Sequence, residues 1–321
     1  MKRNFASRCA AVVALGAAAV ACTAAPPQTE PARQPQPALT TEATGCLERY
    51  GHPYPAGPDY RTSLDRDSRI RYDNAYRACR GGRDLSAQEL AGLERAAATL
   101  TARCMREAGY TYRPPRVRAD TLRTFPYVVD DPAWAARNGY GGKGHVRPAA
   151  PRDPAAARAL LGAPAPAIRV TAPDGSTHTR TATGCRAEAE ARLYGNLPAH
   201  FRATTVLAHP QGGRERAERI VTGTRAWRTA LPEWARCMAT AGHPYASPQA
   251  ARAAVRDASS RTRKATAVAE ARCARGSGLA EAATEAGRHA RDRAEAPYLN
   301  EVVALNRMRL EALERVRGAA R

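Results

Sequence analysis

Lysine is almost absent from this chain of 321 residues: Lys2, Lys143 and Lys264 are the only three among 50 basic residues, and the other 47 are arginine. Aromatic residues are scarce as well, at three Phe, three Trp and twelve Tyr. A core must therefore come from alanine on closely approaching helices more than from bulky side chains. Runs of β-branched residues are few, which excludes a strand-dominated fold, whereas Ala, Glu and Arg favour helix. No apolar run reaches the roughly 20 residues that a spanning helix needs. The usual chemical signatures are missing too. No two cysteines have the spacing of a zinc knuckle, and no Cys-x-x-Cys-His haem site occurs. The stretch from Gly139 to His145 lacks the four-residue gap and the Ser or Thr of a phosphate loop, and Gly276-Ser277-Gly278 is not a nucleophile elbow. Glu188 and Glu190 read as a solvated helix face, Asp130 and Asp131 as a cap ahead of Pro132, and His200 and His209 flank a loop with no evident partner. The expectation is a protein that is not an enzyme, with no catalytic residue, metal ligand or cofactor.

What the sequence does contain is one phrase written three times. It runs Cys46 to Gly51-His52-Pro53-Tyr54, Cys104 to Gly109-Tyr110-Thr111-Tyr112, and Cys237 to Gly242-His243-Pro244-Tyr245. Physically this is the last turn of a helix: Gly51, Gly109 and Gly242 supply a left-handed residue just past the end, and proline in two copies forbids continuation. Each cysteine then lies one turn inside its helix, placed to tie it to a neighbour. Because Tyr110 stands where the other copies have His52 and His243, that position calls for ring shape and not for a metal-binding lone pair. The closing Tyr54, Tyr112 and Tyr245 complete a structural motif.

The first 21 residues read as a signal peptide, with Lys2, Arg3 and Arg8 ahead of the apolar run Ala10 to Ala21. Ala19-Val20-Ala21-Cys22 resembles a bacterial lipobox, which makes Cys22 the expected lipidation site, although Ala19 stands where leucine is usual. The alternative is simple secretion after cleavage before Cys22. Residues 22–44, rich in Pro, Gln, Thr and Ala, cannot bury enough apolar surface to fold and read as a disordered tether. Acyl chains at Cys22 would hold the protein on the bacterial membrane, at the outer face of the cytoplasmic membrane. Removing residues 1–21 takes away three basic and no acidic residues, so the formal charge falls from +20 to +17. Such a surface attracts an anionic envelope polymer or a membrane protein complex. Nucleic acid is not expected as a partner, since no recognition motif is present.

The remaining chain divides into an N-terminal helical unit (45–112), an irregular connector (113–182) and a C-terminal helical unit (183–321). Residues 59–80 read as a polar helix. Ser86 and Glu89 form a capping box ahead of Leu90, Leu93, Ala97, Leu100 and Cys104, a single apolar face. The proline- and glycine-rich connector carries a short helix at 154–161 and a hairpin turn at Asp174-Gly175. A helical region runs from about 214 to 241, restarted at Pro232, with Trp227, Leu231, Trp234 and Met238 on one face. Ser247-Pro248 opens a further helix that Ser259-Ser260 interrupts. A final helix over about 279–317, divided or kinked at Pro297, sets Leu299, Val303, Leu310 and Leu313 on a coiled-coil-like seam with Asn306 as its polar member. The fold class is mainly α: a disulfide-linked bundle of helices and hairpins, an irregular middle and a long C-terminal helix.

Setting Cys9 and Cys22 aside leaves six cysteines, an even number that argues for disulfides in an exported chain. Parallel spacing suggests Cys46–Cys79 and Cys237–Cys273, which leaves Cys104–Cys185. One unbroken helix would hold Cys273 roughly 35 Å from the loop beside Cys237, so this pairing requires a reversal near Ser259-Ser260. Joining Cys185 to Cys237 is the alternative.

Cys104-Met105 and Cys237-Met238 in their phrases, Gly184-Cys185 opening a short acidic helix, Trp234 three residues before Cys237, and the segment ending in Cys273 before Gly278-Leu279 together resemble a group of uncharacterised actinobacterial exported lipoproteins. The resemblance covers roughly residues 86–317. It implies an address and a helical, disulfide-linked architecture, and no reaction. The expected role is non-catalytic binding or scaffolding at the cell envelope, with an unrecognised cell-wall hydrolase as the alternative.

Overall fold

Alternating caps and glycines divide this chain into many helices, and a computed structural model shows how they pack. The structure describes residues 42–54, 60–141, 151–210 and 213–319. The expected signal peptide, Cys22 and nearly all of the expected tether lie outside the described residues, as does the stretch from Gly142 to His145. In chain order the helices are α1 (Glu42–Arg49), α2 (Tyr60–Ser63), α3 (Arg66–Cys79), α4 (Ala87–Glu107), α5 (Ala119–Leu122), α6 (Pro132–Asn138) and α7 (Pro154–Leu161). An antiparallel hairpin, β1 (Ala167–Thr171) and β2 (Thr177–Thr181), follows, and it is the only sheet among the described residues. Then come α8 (Cys185–Tyr194), α9 (Leu197–Ala208), α10 (Gly213–Thr222), α11 (Arg225–Thr240), α12 (Pro248–Ala254), α13 (Ser260–Gly276), α14 (Leu279–Glu295) and α15 (Leu299–Gly318). The protein is mainly helical, with three disulfides and a long C-terminal helical rod.

Local chemistry sets most boundaries. Ser86 and Glu89 make a reciprocal capping box at α4, and Asp131 caps α6 by accepting from the Trp134 N–H at 2.9 Å. Two boundaries differ from the sequence reading. The stretch 59–80 is two helices, because Asp65 accepts the N–H groups of Asp67 and Ser68, both at 2.9 Å, and starts α3 afresh. Pro232 does not restart a helix. It lies inside α11, and the break falls earlier, at Gly223-Thr224, where the Thr224 hydroxyl caps the Trp227 N–H at 3.3 Å.

The C-terminal rod is the axis of the packing. At Pro297 it passes through a 3-10 turn, Ala296–Tyr298, that separates α14 from α15. The alanine face of α14 (Ala280, Ala283, Ala286, Ala290) meets Val221, Trp227, Trp234 and Met238 of α10 and α11. Small side chains let these backbones approach, and the tryptophans fill what remains. Around α15 lie α1, α3, α4, α8 and α9, so its N-terminal half is buried on nearly all sides instead of along a two-helix seam. Two of its buried polar side chains are paired: Asn306 donates to the Arg80 carbonyl at the end of α3 (2.9 Å), and Glu301 pairs with Arg202 at 3.0 Å. The described parts of 113–182 (113–141 and 151–182) pack into the same body. Trp134 and Ala135 of α6 lie against Ala267 and Ala271 of α13, and Leu160 of α7 lies against Met105 and Cys185.

The three bridges are Cys46–Cys79, Cys104–Cys185 and Cys237–Cys273, with Cα separations of 5.8, 5.4 and 5.6 Å. The reversal that the third requires is the turn between α12 and α13, where Ser259 caps the new helix. Near the second bridge, α7 ends on Gly162 and α8 begins after Gly184. A Cβ on Gly184 would lie 2.3 Å from the Gly162 nitrogen, so this backbone-to-backbone contact admits only glycine.

Candidate functional site

All three phrases fold the same way. In each, the N–H of the ring-bearing residue reaches back five positions and the glycine N–H reaches back three. His52 donates to Leu47 (3.1 Å) and Gly51 to Glu48 (2.9 Å). Tyr110 donates to Met105 (2.8 Å) and Gly109 to Arg106 (3.0 Å), and His243 to Met238 (2.8 Å) and Gly242 to Ala239 (3.0 Å). This is the Schellman termination, with glycine φ values of 77°, 84° and 79°. The residue after each cysteine (Leu47, Met105, Met238) is fully buried, so each phrase joins a helix stop, a core anchor and a bridge.

The rings and tyrosines of the phrases serve packing. His52 contacts Tyr60 and Tyr72 edge-on, its Nδ1 is 3.2 Å from the Tyr60 hydroxyl, and burial and then Arg71 lower its proton affinity. His243 Nδ1 lies 3.3 Å from the Thr266 hydroxyl. Tyr54 bridges the break in the rod: its hydroxyl accepts the Asn300 N–H at 3.1 Å and donates to the Pro297 carbonyl at 3.5 Å. Burial there pushes the phenol up to about 12. Tyr112 is half-buried against the Met105 cluster, and Tyr245 against the tryptophan core.

A cleft of about 680 Å³ lies between α10, α14, the end of α9 and the hairpin tip. At its edge the structure gives His209 a partner that sequence reasoning did not find: its Nδ1 is 3.5 Å from Asp174, and its ring lies 4.2 Å from that of His178. Ser176 joins the group, with its hydroxyl donating to Asp174 and lying 2.8 Å from His178 Nε2. A Ser, two His and an Asp at a cleft are the raw material of a hydrolase, but the polarity runs the wrong way. Ser176 gives its proton to Asp174, so the remaining Ser–His bond has His178 Nε2–H as donor and leaves no base for the serine. Among the described residues no carboxylate bonds His178 Nδ1, whereas a triad needs one there. The Asp174–Ser176 bonds are those of an Asx turn, which also takes the Ser176 N–H at 2.9 Å. The hydroxyl and this N–H hold the Asp174 carboxyl below its usual range. Among the described residues, no group of three or more His, Cys, Asp or Glu is arranged to hold a metal ion.

Two further carboxylates, one buried and one half-buried, are held in ion pairs. Glu270 on α13 is wholly buried; its Oε1 accepts the Val129 N–H at 2.8 Å and Arg252 Nη2 at 3.2 Å. Arg252 also donates to the Phe125 carbonyl at 2.7 Å and lies over the Tyr140 ring. Burial raises the Glu270 carboxyl against the pull of Arg252. Glu190, which the sequence placed on a solvated face, instead receives a two-pronged bond from Arg180 at 2.6 and 3.2 Å, with His200 Nδ1 3.7 Å away. His200 stacks flat on Tyr194 at 3.8 Å.

Burial alone would raise Glu190, but His200 and Arg180 outweigh it and hold the carboxyl at about 2, against an ordinary 4.5. The stability this gives is present above pH 4.5 and is lost as pH falls toward 2. It amounts to about 3 kcal/mol. Urea midpoints measured from pH 5 to pH 2 are expected to fall more steeply in the wild type than in Glu190→Gln. Parallel slopes would refute this assignment.

No protein-family model, curated protein or solved structure matches this chain. No helix among the described residues is long and apolar enough to cross a membrane.

Proposed function

We propose that this protein is an exported lipoprotein, anchored through Cys22, whose helical body binds another component of the cell envelope and catalyses no reaction. The observation that supports the address is the oxidation of all six cysteines outside residues 1–41 in three bridges, a state that persists in extracytoplasmic compartments. The arginine excess supports an anionic partner, either an envelope polymer or an acidic face of a membrane protein complex. The resemblance to exported actinobacterial lipoproteins agrees with this reading and adds no activity.

Intact mass of the protein from its own host, with and without reductant, tests the address. The expected result is loss of residues 1–21, added acyl mass on Cys22, and a gain of six hydrogens on reduction. A mature chain without lipid would mean simple secretion, and six free thiols would sink the export reading. Salt-sensitive retention on isolated wall polymer, or recovery of a membrane complex from detergent extracts, tests the binding role.

The alternative reading is a wall-directed hydrolase, and the Ser176–His178–Asp174–His209 group, whose hydrogen bonds leave the serine without a base, argues against it. Turnover of wall material that Ser176→Ala abolishes would establish it in place of the binding role.

A further inference from the structure

Several half-buried arginines in this protein have a carboxylate. Arg180 has Glu190, Arg202 has Glu301, Arg252 has Glu270, and Arg80 has Glu295 at 3.4 Å. Among the described residues Arg216 on α10 and Arg293 on α14 have none, and neither do Arg69 and Arg309. Arg216 and Arg293 line one small cleft beside the break in the rod, together with Ile220, Pro297 and Tyr298, and no acidic residue lines it. Neither guanidinium has a hydrogen bond or ion pair among the described residues. Burial, and then Arg61, Arg216 and Arg69, depress the proton affinity of Arg293. Asp73, which opposes them there, is already engaged by Arg61 through two bonds of 2.7 and 2.6 Å. Arg69 gives one nitrogen to the Leu64 carbonyl at 3.0 Å, and its buried Nε has no partner. Like charges in a partly desolvated cleft repel, and an anion relieves that repulsion. A guanidinium fork matches the paired oxygens of a phosphate group.

We propose that the Arg216–Arg293 cleft binds a phosphate-type oxyanion carried by the envelope partner. The inference rests on the binding role argued above and supplies its site and ligand chemistry. The phosphate could belong to a phosphodiester polymer or to a lipid headgroup, and the test separates the two.

The oxidised mature chain is titrated with inorganic phosphate, with poly(glycerol phosphate), and with vesicles of phosphatidylglycerol or of phosphatidylcholine, each at low and high salt. Wild type is expected to bind phosphate and at least one of the two anionic macromolecular probes, more weakly at high salt. Which of those probes binds identifies the source. Arg293→Gln and Arg216→Gln are each expected to weaken that binding by about tenfold or more. Arg288→Gln, an exposed arginine of α14 that does not line this cleft, should change it less than about twofold. Without ligand, Arg293→Gln should melt about 2 °C higher, because a repulsion is removed. Binding unchanged in both variants overturns the site and leaves the binding role standing. Phosphate binding that both variants lose, with no binding to polymer or vesicle, keeps the site and removes that role. A wild type that binds none of the probes, or an Arg293→Gln protein that melts lower, overturns the proposal.

Discussion

Reduction of the three disulfides is expected to unfold this protein at room temperature. Closing loops of 33, 81 and 36 residues restricts the unfolded chain by about 4 kcal/mol each. Together they contribute about 12 kcal/mol, comparable to the whole stability of an ordinary domain. The core they support is rich in alanine, and alanine buries little area per residue. The double substitution Cys237→Ser/Cys273→Ser is expected to lose about 3–4 kcal/mol by itself. Urea titration followed by circular dichroism, with and without a phosphine reductant, measures both. Bridge order is also predicted. Cys237 is exposed and lies in a surface cleft with Lys264 and Arg272, so an attacking thiolate is drawn to it. Cys104 instead stands 3.5 Å from the Glu188 carboxylate. Cys237–Cys273 should therefore open first under limiting reductant. An unchanged urea midpoint in the fully reduced chain would show that the helices cohere without their bridges.

Removing the Glu270 carboxylate should be the most damaging single substitution away from the cysteines. Glu270→Ala strands the Arg252 guanidinium among buried groups and takes the acceptor from the Val129 N–H. Breaking one side of such a pair typically costs about 3–5 kcal/mol. Arg252→Ala should do comparable harm, since it leaves the carboxylate unpaired and frees the Phe125 carbonyl. Replacing both together with Leu and Met should cost less than the sum, because no uncompensated charge remains. A double-mutant cycle by urea denaturation reads the coupling. A loss under about 1 kcal/mol in Glu270→Ala would mean that this pair is dispensable. The pair joins α12 and α13 to the segment around Val129, so its loss should also loosen α6 and Trp134.

Much of this architecture is written in short stretches of sequence. The helix stops at Gly51, Gly109 and Gly242, the capping box at Ser86-Glu89, the cap at Asp131, the hairpin turn at Asp174-Gly175 and the break at Pro297 all follow from backbone sterics and from hydrogen bonds spanning a few residues. Such interactions have few competitors, so residue type and spacing decide them. Pro232 is the instructive exception. The flanking Trp227, Trp234 and Met238 are all buried in one core, and their packing carries the helix through a residue that locally favours a break.

Other features were decided only by tertiary packing. Glu190 left its apparent polar face because Arg180 of the hairpin and His200 of the next helix meet it. His209 gained Asp174 through a hairpin tip folded onto the end of α9, and the Asx turn at that tip brought Ser176 against both Asp174 and His178. The link from Tyr54 to Asn300 spans 246 residues, and that from Val129 to Glu270 spans 141. The Arg216–Arg293 cleft exists only where α10 lies against the rod. Local backbone energetics therefore determined where helices begin and end, and the burial of an alanine-rich surface determined which charges were brought together and which were left without a partner.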